Sequence, residues 1–409
     1  MSRILIDGRF VGVGDSMTRY TLEILKRLLP IDQENEYTLL IRPAGEKLAN
    51  NLKLITHSHN LKLKILDIPH YSMSEQTKLL KYLNEQKFDL VHFVQFNHPI
   101  RYRGKFIVTI HDLTLLGHLH RMNFGKKAGF KIAMRSAVKN SVKIFTISKT
   151  SKDDIVEYYK IDPDKVVVTH LAVDPKYTSN LKSPDLGEGL GRDGQITKFK
   201  KKYGICGDYI LYTGMWQRHK NLLRMLKVFE QVKLQETSNK KQTNHKSQIT
   251  NIQLVLVGKI DKDEPEILQE IERINKSNKA NEANQANSAN KAIVATGFID
   301  EEELPIAYAG ALAYCIPSLS EGFGLPPLEA MACGTPVISS NISAMPEILG
   351  DAPLYFDPYD VDDIAAAMQK VIEDQKLRDQ LSKAGLEQVK KYNWQDTAKK
   401  TLKVYKDVL

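Results

Sequence analysis

Short apolar runs alternate with helix-period segments through most of this chain, and the series occurs twice. In the first half the strand candidates are residues 3–7, 37–42, 61–67, 90–94, 106–111 and 143–148, separated by helical segments such as 17–29 and 74–86. Several of the runs are apolar nearly throughout, which is the pattern of parallel strands covered on both faces. Near residue 178 the alternation lapses into a stretch, 179–198, rich in Gly, Ser, Asp and Lys. It resumes with strand candidates at 209–213, 253–257, 293–296, 312–316 and 336–339. This pattern predicts an α/β fold with two doubly wound, Rossmann-like domains. The expected division is 1–180 for the first domain, 181–200 for a linker or insertion, 201–385 for the second, and 386–409 for a closing helix. That helix either caps the second domain or crosses back to the first.

Length agrees with this division, since 409 residues suffice for two domains at about 100–200 residues each. No run approaches the ~18 uninterrupted apolar residues of a membrane span. A chain that enters a strand at Arg3 is expected to lack a signal peptide. Cys206, Cys315 and Cys333 are few and odd in number, as expected for reduced, mostly buried thiols of a cytoplasmic protein. A net charge of +9 suits an anionic partner: nucleic acid, a phospholipid surface or a phosphorylated substrate. Two polar tracts, 235–251 and the Ala-Asn-x repeat of 280–292, hold too few apolar residues to offset their ordering entropy and are expected to be surface segments without function.

The sharpest chemical feature is Glu321-Gly322-Phe323-Gly324-Leu325-Pro326-Pro327-Leu328-Glu329, between a strand and a helix. A Gly-bearing loop with Pro near a helix start leaves backbone N–H groups free at a positive dipole end, suited to a phosphate or a sugar hydroxyl. Glu321 falls at the carboxyl edge of the sheet, and Glu329 on the early helix is able to face the same crevice. Two carboxylates there can accept hydrogen bonds from vicinal hydroxyls of a sugar or ribose. A second strand-to-helix turn, Gly214-Met215-Trp216-Gln217-Arg218-His219-Lys220-Asn221, offers close backbone approach at Gly214 and the cations Arg218 and Lys220 for a diphosphate leaving group.

Other features are weaker alone. His111-Asp112 closes a strand, where the imidazole either reaches a substrate hydroxyl or is an ordinary half-buried side chain. The first turn, Asp7-Gly8-Arg9-Phe10-Val11-Gly12-Val13-Gly14, holds an incomplete dinucleotide fingerprint, because Met17 stands where the third glycine belongs. Lys127, Lys131, Arg135 and Lys139 recur every four residues, with Lys126 adjacent. Such a row marks either an anionic membrane surface or a solvated face opposite Phe130, Ala133 and Ala137. No aromatic-rich nucleic-acid motif accompanies it, so nucleic acid is not an expected partner. Asp162-Pro163-Asp164 reads as a turn, and Asp261-Lys262-Asp263 lacks a third ligand, so neither a metal nor another cofactor is expected.

Taken together, these residues resemble the large retaining family-4 group of GT-B glycosyltransferases, over nearly the whole chain. The element Glu321 to Glu329 is similar to the family's Glu-x7-Glu, in the setting Pro317-Ser318-Leu319-Ser320 through Gly334-Thr335-Pro336-Val337. His111-Asp112, Ile147-Ser148-Lys149, His219-Lys220-Asn221, Gly297-Phe298-Ile299 and Trp394-Gln395-Asp396-Thr397-Ala398 support it. The resemblance implies two Rossmann-like domains facing each other across a cleft, with the closing helix crossing back to the N-terminal one. It implies catalytic roles for His111, Lys220 and Glu321. Lys220 would contact the donor diphosphate, and Glu321 the donor sugar beside the backbone N–H groups of Phe323, Gly324 and Leu325. Glu329 would hold the ribose, Phe298 would lie by the base, and His111 would reach the sugar. Met215 follows Gly214 where the family places a phosphate-binding Arg, which leaves Arg218 as the candidate. The glycine loop also departs from the family, since Asp15-Ser16-Met17-Thr18 intervenes before Arg19-Tyr20, and its phosphate contact is placed at Gly14.

The reaction so implied is retaining, metal-independent transfer of a hexose from a sugar nucleotide to a glycan or lipid-linked acceptor. Mannose from GDP-mannose is the leading donor and UDP-sugars come next. The enzyme is expected in the cytoplasm, at the inner face of the cell membrane if the basic row binds anionic lipid. A nucleotide-dependent oxidoreductase and a non-catalytic sugar- or lipid-binding protein are the competing readings. The incomplete glycine fingerprint opposes the first, and the presence of Lys220, Glu321 and Glu329 opposes the second.

Overall fold

The computed structural model describes residues 1–13, 16–56, 58–117, 123–179, 191–242, 252–259, 261, 264–281 and 291–409. The chain forms two compact units, Met1–Leu171 with Tyr392–Leu409, and Ala172–Lys391.

The first unit holds β1 (Arg3–Asp7), β2 (Glu36–Ile41), β3 (Leu61–Ile65), β4 (Leu90–Phe93), β5 (Phe106–Thr109), β6 (Lys143–Thr146) and β7 (Val166–Val168). They form one sheet in the order β3-β2-β1-β4-β5-β6-β7, with every neighbouring pair parallel. The central strands are apolar because both faces are covered: Leu5, Val91, Val108 and Ile144 are fully buried in one core. The strand order reverses between β1 and β4, which opens a ligand-binding position at the carboxyl edge. Residues 74–86 are not one α-helix; a π-helical turn, Glu75–Leu79, precedes the α-helix Leu80–Gln86. The last helix, Trp394–Val408, packs on Ser16–Ile31 within this unit. Asn393 caps it, accepting from Asp396 N, and the Tyr405 hydroxyl is hydrogen-bonded to buried His92 Nδ1 at 2.6 Å.

The second unit holds β8 (Tyr209–Thr213), β9 (Gln253–Val257), β10 (Ile293–Gly297), β11 (Ala313–Ile316), β12 (Val337–Ser340) and β13 (Leu354–Phe356). Their order is β10-β9-β8-β11-β12-β13, again parallel throughout. Its switch point lies between β8 and β11.

Several expectations need correction. The stretch read as a linker contains the helix Arg192–Tyr203, whose Phe199 is buried and whose Ile196 packs on Gly310. Its lysines line the other positions and mask the apolar spacing. The polar tract from 235 begins as helix, since Leu222–Gln242 is continuous. Likewise Pro265–Asn281 enters the Ala-Asn-x repeat, of which 282–290 lie outside the described residues. The thiols are mostly buried as expected, Cys315 and Cys333 inside and Cys206 exposed. Strand β13 was not anticipated. Asp162 caps a short 3-10 turn, Pro163–Lys165, in keeping with its reading as a turn.

Candidate functional site

At the carboxyl edge of the second sheet, the loop after β8 and the loop after β11 meet over the switch point. Gly214 leaves β8, and the chain reaches a 3-10 turn, Arg218–Lys220, which Asn221 ends in the left-handed conformation at φ 61°. Asn221 Nδ2 donates to the carbonyls of Pro317 at 3.0 Å and Pro358 at 2.9 Å, while Leu319 N donates to His219 O at 2.7 Å. These bonds fix one loop against the other and bring Lys220 to Glu321. Lys220 Nζ donates to Glu321 Oε1 at 2.7 Å, and Ser318 Oγ donates to the same oxygen at 2.7 Å. The two charged side chains are 19% and 13% exposed, so they are shielded yet reachable. Burial alone would raise the Glu321 carboxyl; Lys220, the Ser318 hydroxyl and the nearby His219 outweigh it and hold the group below its ordinary range. Ser343 Oγ accepts from Glu321 N at 3.1 Å and donates to Glu321 O at 2.9 Å, which locks the backbone as well.

Backbone approach is closest where the strands end. Gly214 N donates to Val257 O at 3.0 Å, and Gly258 sits at φ 131°, where a Cβ would lie 1.9 Å from Gly214 O. No other residue fits there. Gly324, at φ 86°, turns the chain into the helix Leu325–Ala332, which begins beside the Lys220–Glu321 pair in sequence and space. Phe323 is buried below this turn and Leu325 half-buried. Arg218 is exposed at the rim, and Phe298, just past β10, is 77% exposed. Glu329 is more enclosed than its sequence position suggests. It is 4% exposed, and its Oε2 accepts from the Tyr308 hydroxyl at 3.1 Å; that hydroxyl also bonds Thr213 Oγ1, at the end of β8, at 2.8 Å.

In the first unit, His111 follows β5 at the carboxyl edge, with Nε2 3.3 Å from Val94 O and its ring edge-on to Tyr20. Gly14, proposed for the glycine loop, lies outside the described residues, as do Lys262 and Asp263 of the second Asp-x-Asp triplet. Lys127, Lys131, Arg135 and Lys139 share the helix Phe124–Asn140; Lys131, Arg135 and Lys139 are exposed and Lys127 is half-buried. Among the described residues, no group of three or more His, Cys, Asp or Glu side chains is arranged to hold a metal ion, and no helix is long and apolar enough to cross a membrane.

Ser318 and Asn221 stand within the motifs, but their spacing does not show that they fasten Glu321 and Lys220. Tyr308 and Ser343 lie outside every motif. In Asp7-Gly8-Arg9 the glycine is the visible signal, whereas Arg9 is a buried guanidinium bonded to Asp7 and to Glu75.

Residues 195–388 match the family model for "Glycosyl transferases group 1", and residues 17–177 that for "Glycosyltransferase Family 4". The chain is similar to "O-antigen chain mannosyltransferase B" of Escherichia coli, at 25% identity over 95% of each chain. It is also similar to "O-antigen chain mannosyltransferase RfbU" of Salmonella typhimurium, at 25% identity over 75% of this chain and 69% of that one. Among solved structures, the Anabaena protein HepE, crystallised with UDP and glucose, superposes with a TM-score of 0.71, at 15% identity and over 100% of both chains.

Proposed function

We propose that this chain, which belongs to the family-4 glycosyltransferases of GT-B fold, transfers mannose from GDP-mannose to a glycan or lipid-linked acceptor with retention of configuration. The observation that carries the reading is the Lys220–Glu321 pair over the switch point of the second sheet. It places a cation and a sugar-hydroxyl acceptor together where an α/β sheet takes its ligand. Mannosyl transfer is supported by the names of two relatives that align along most of their length.

In the proposed reaction the bond between the anomeric carbon and the β-phosphate oxygen breaks, and its electron pair goes to the phosphate. Lys220 neutralises the charge that grows there, helped by Arg218 and by the N–H groups following Gly214 and around Gly324. Glu321 accepts hydrogen bonds from the hexose hydroxyls, Glu329 from the ribose, and Phe298 flanks the base. The acceptor hydroxyl attacks from the face the phosphate leaves, and its proton passes to that phosphate. His111 is assigned to a substrate hydroxyl. With the protein supplying these cations, turnover needs no divalent ion. Transfer in excess EDTA should keep most of the rate measured with Mg²⁺; abolition by EDTA and restoration by Mn²⁺ would show that a metal carries the charge instead.

The basic helix is assigned to the inner, anionic face of the cell membrane. Phe124 and Ile132, 87% and 55% exposed, stand on the same side of this helix as Lys131, Arg135 and Lys139. Apolar side chains among cations suit a phospholipid interface better than bulk water. Flotation with phosphatidylserine or cardiolipin vesicles should weaken with salt and with Lys131→Glu plus Arg135→Glu. Unchanged flotation of that variant would leave the row as a solvated face.

A further inference from the structure

Glu329 is assigned above to the donor ribose, and that task needs the plane of its carboxylate fixed. The last torsion of a glutamate is broad, so a carboxylate that meets two vicinal hydroxyls at once gains from a partner that sets its rotation. Such a partner lies 21 residues upstream. The Tyr308 hydroxyl donates to Glu329 Oε2 at 3.1 Å, and both residues are buried. With its one hydrogen so placed, the Tyr308 oxygen accepts from Thr213 Oγ1 at 2.8 Å. The Tyr314 hydroxyl lies 3.3 Å from the same Oγ1 and donates to Thr213 O at 3.3 Å. Burial first, and Glu329 second, push the Tyr308 hydroxyl well above its ordinary pKa, so it stays a donor.

These hydroxyls run in one direction, from the last residue of β8 through Tyr308 to Glu329. Because Gly214 follows Thr213 and begins the turn toward Lys220, they tie the diphosphate loop to the assigned ribose carboxylate. The tyrosine itself is held by other means. Tyr308 stands on the helix Leu304–Ala309, where the Tyr209 hydroxyl donates to Ala307 O at 2.6 Å and Thr335 Oγ1 to Tyr308 O at 2.7 Å. Its ring packs edge-on against Tyr177 and Tyr314, with centroids 5.9 and 5.6 Å away. Backbone and ring are thus anchored without the hydroxyl, which serves Thr213 and Glu329.

We propose that Tyr308 is a positioning residue for donor selection. Backed by Thr213, it holds the Glu329 carboxylate in the plane that reads the vicinal 2′- and 3′-hydroxyls of a ribose. The site therefore takes ribonucleoside diphosphate donors and refuses their 2′-deoxy counterparts. The inference rests on the assignment of Glu329 to the ribose and adds the device that makes that contact selective.

The test uses the full chain and calorimetry with GDP, UDP, their 2′-deoxy analogues and pyrophosphate. For whichever base binds more tightly, wild type should prefer the ribonucleotide by about ten-fold, the worth of one hydrogen bond to a charged group. Tyr308→Phe should cut that preference to about two-fold while leaving pyrophosphate affinity as it was. Thr213→Ser, which keeps the hydroxyl, should retain the wild-type preference, whereas Thr213→Val should at least halve it. The threonine pair decides the matter if Tyr308→Phe does not fold. A preference that Glu329→Gln abolishes but Tyr308→Phe and Thr213→Val leave intact would overturn the proposal and keep the ribose assignment. Parallel weakening of ribonucleotide, deoxyribonucleotide and pyrophosphate in Tyr308→Phe would overturn it too, as the mark of a merely structural role. No preference in wild type, or one untouched by Glu329→Gln, would remove the ribose assignment itself.

Discussion

Glu321 owes its ionised state to its neighbours. Its carboxyl is held below the ordinary value of 4.5 although burial pushes the other way. A carboxyl with a lowered folded-state pKa adds stability that is present above its unfolded value and is lost as pH falls through the folded one. Lys220→Met removes the cation and leaves the burial. The Glu321 titration, followed by carboxyl NMR, should therefore move upward, and the acid loss of stability should begin at higher pH. The variant should also lose roughly 1–3 kcal/mol at neutral pH, read by urea unfolding, because a shielded charge is left without its partner. Unchanged titration would mean that Ser318 and the loop backbone hold the group unaided. Kinetics separates Glu329 from the lysine. Lys220→Ala should lower kcat about 10²–10³-fold, since it meets charge that develops only in the transition state. Glu329→Gln should mainly raise donor KM, because ribose contacts are alike in ground and transition states. Equal, near-wild-type constants in both variants would remove the site from this loop pair.

The strand ends of the second sheet hold these residues in place, and the last helix packs within the first unit. Gly258→Ala should cost more than ~2 kcal/mol, since a Cβ cannot share space with the Gly214 carbonyl and φ 131° strains any other residue. A variant as stable as wild type would show that β9 can shift past β8 at its carboxyl end. In the first unit, Tyr405→Phe leaves a His92 nitrogen buried without its hydroxyl, at a cost of about 1–3 kcal/mol in urea unfolding; no change would mean that packing on Ser16–Ile31 suffices. The strands β8, β9 and β11 were legible because burial on both faces writes them as largely apolar runs. Strand β13, three residues long, is too short to carry a period. The helix Arg192–Tyr203 was hidden by lysines around its few apolar contacts. The Glu-x7-Glu loop was legible because all of it is local. The pairs Arg9–Glu75, 66 residues apart, and Tyr308–Glu329, 21 apart, leave no periodic trace, since tertiary folding alone brings them together.

Across the whole molecule, each sheet reverses its strand order once and gathers unusual chemistry at that point. The second unit brings together a cation, a carboxylate and glycine-lined backbone; the first buries the Arg9 guanidinium between Asp7 and Glu75. The surplus of basic side chains, +9 in all, accords with an anionic donor and with a lipid surface. The most direct measurement is transfer from GDP-mannose to methyl α-mannoside by the purified chain, with GDP release quantified and the anomeric configuration of the new linkage read by NMR. The account predicts stoichiometric GDP and product, an α-linked mannose, and loss of both products in Lys220→Ala. Neither hydrolysis nor transfer from GDP-mannose, while a UDP-sugar turns over through the same lysine, would contradict the donor; inertness toward every sugar nucleotide would contradict the account as a whole.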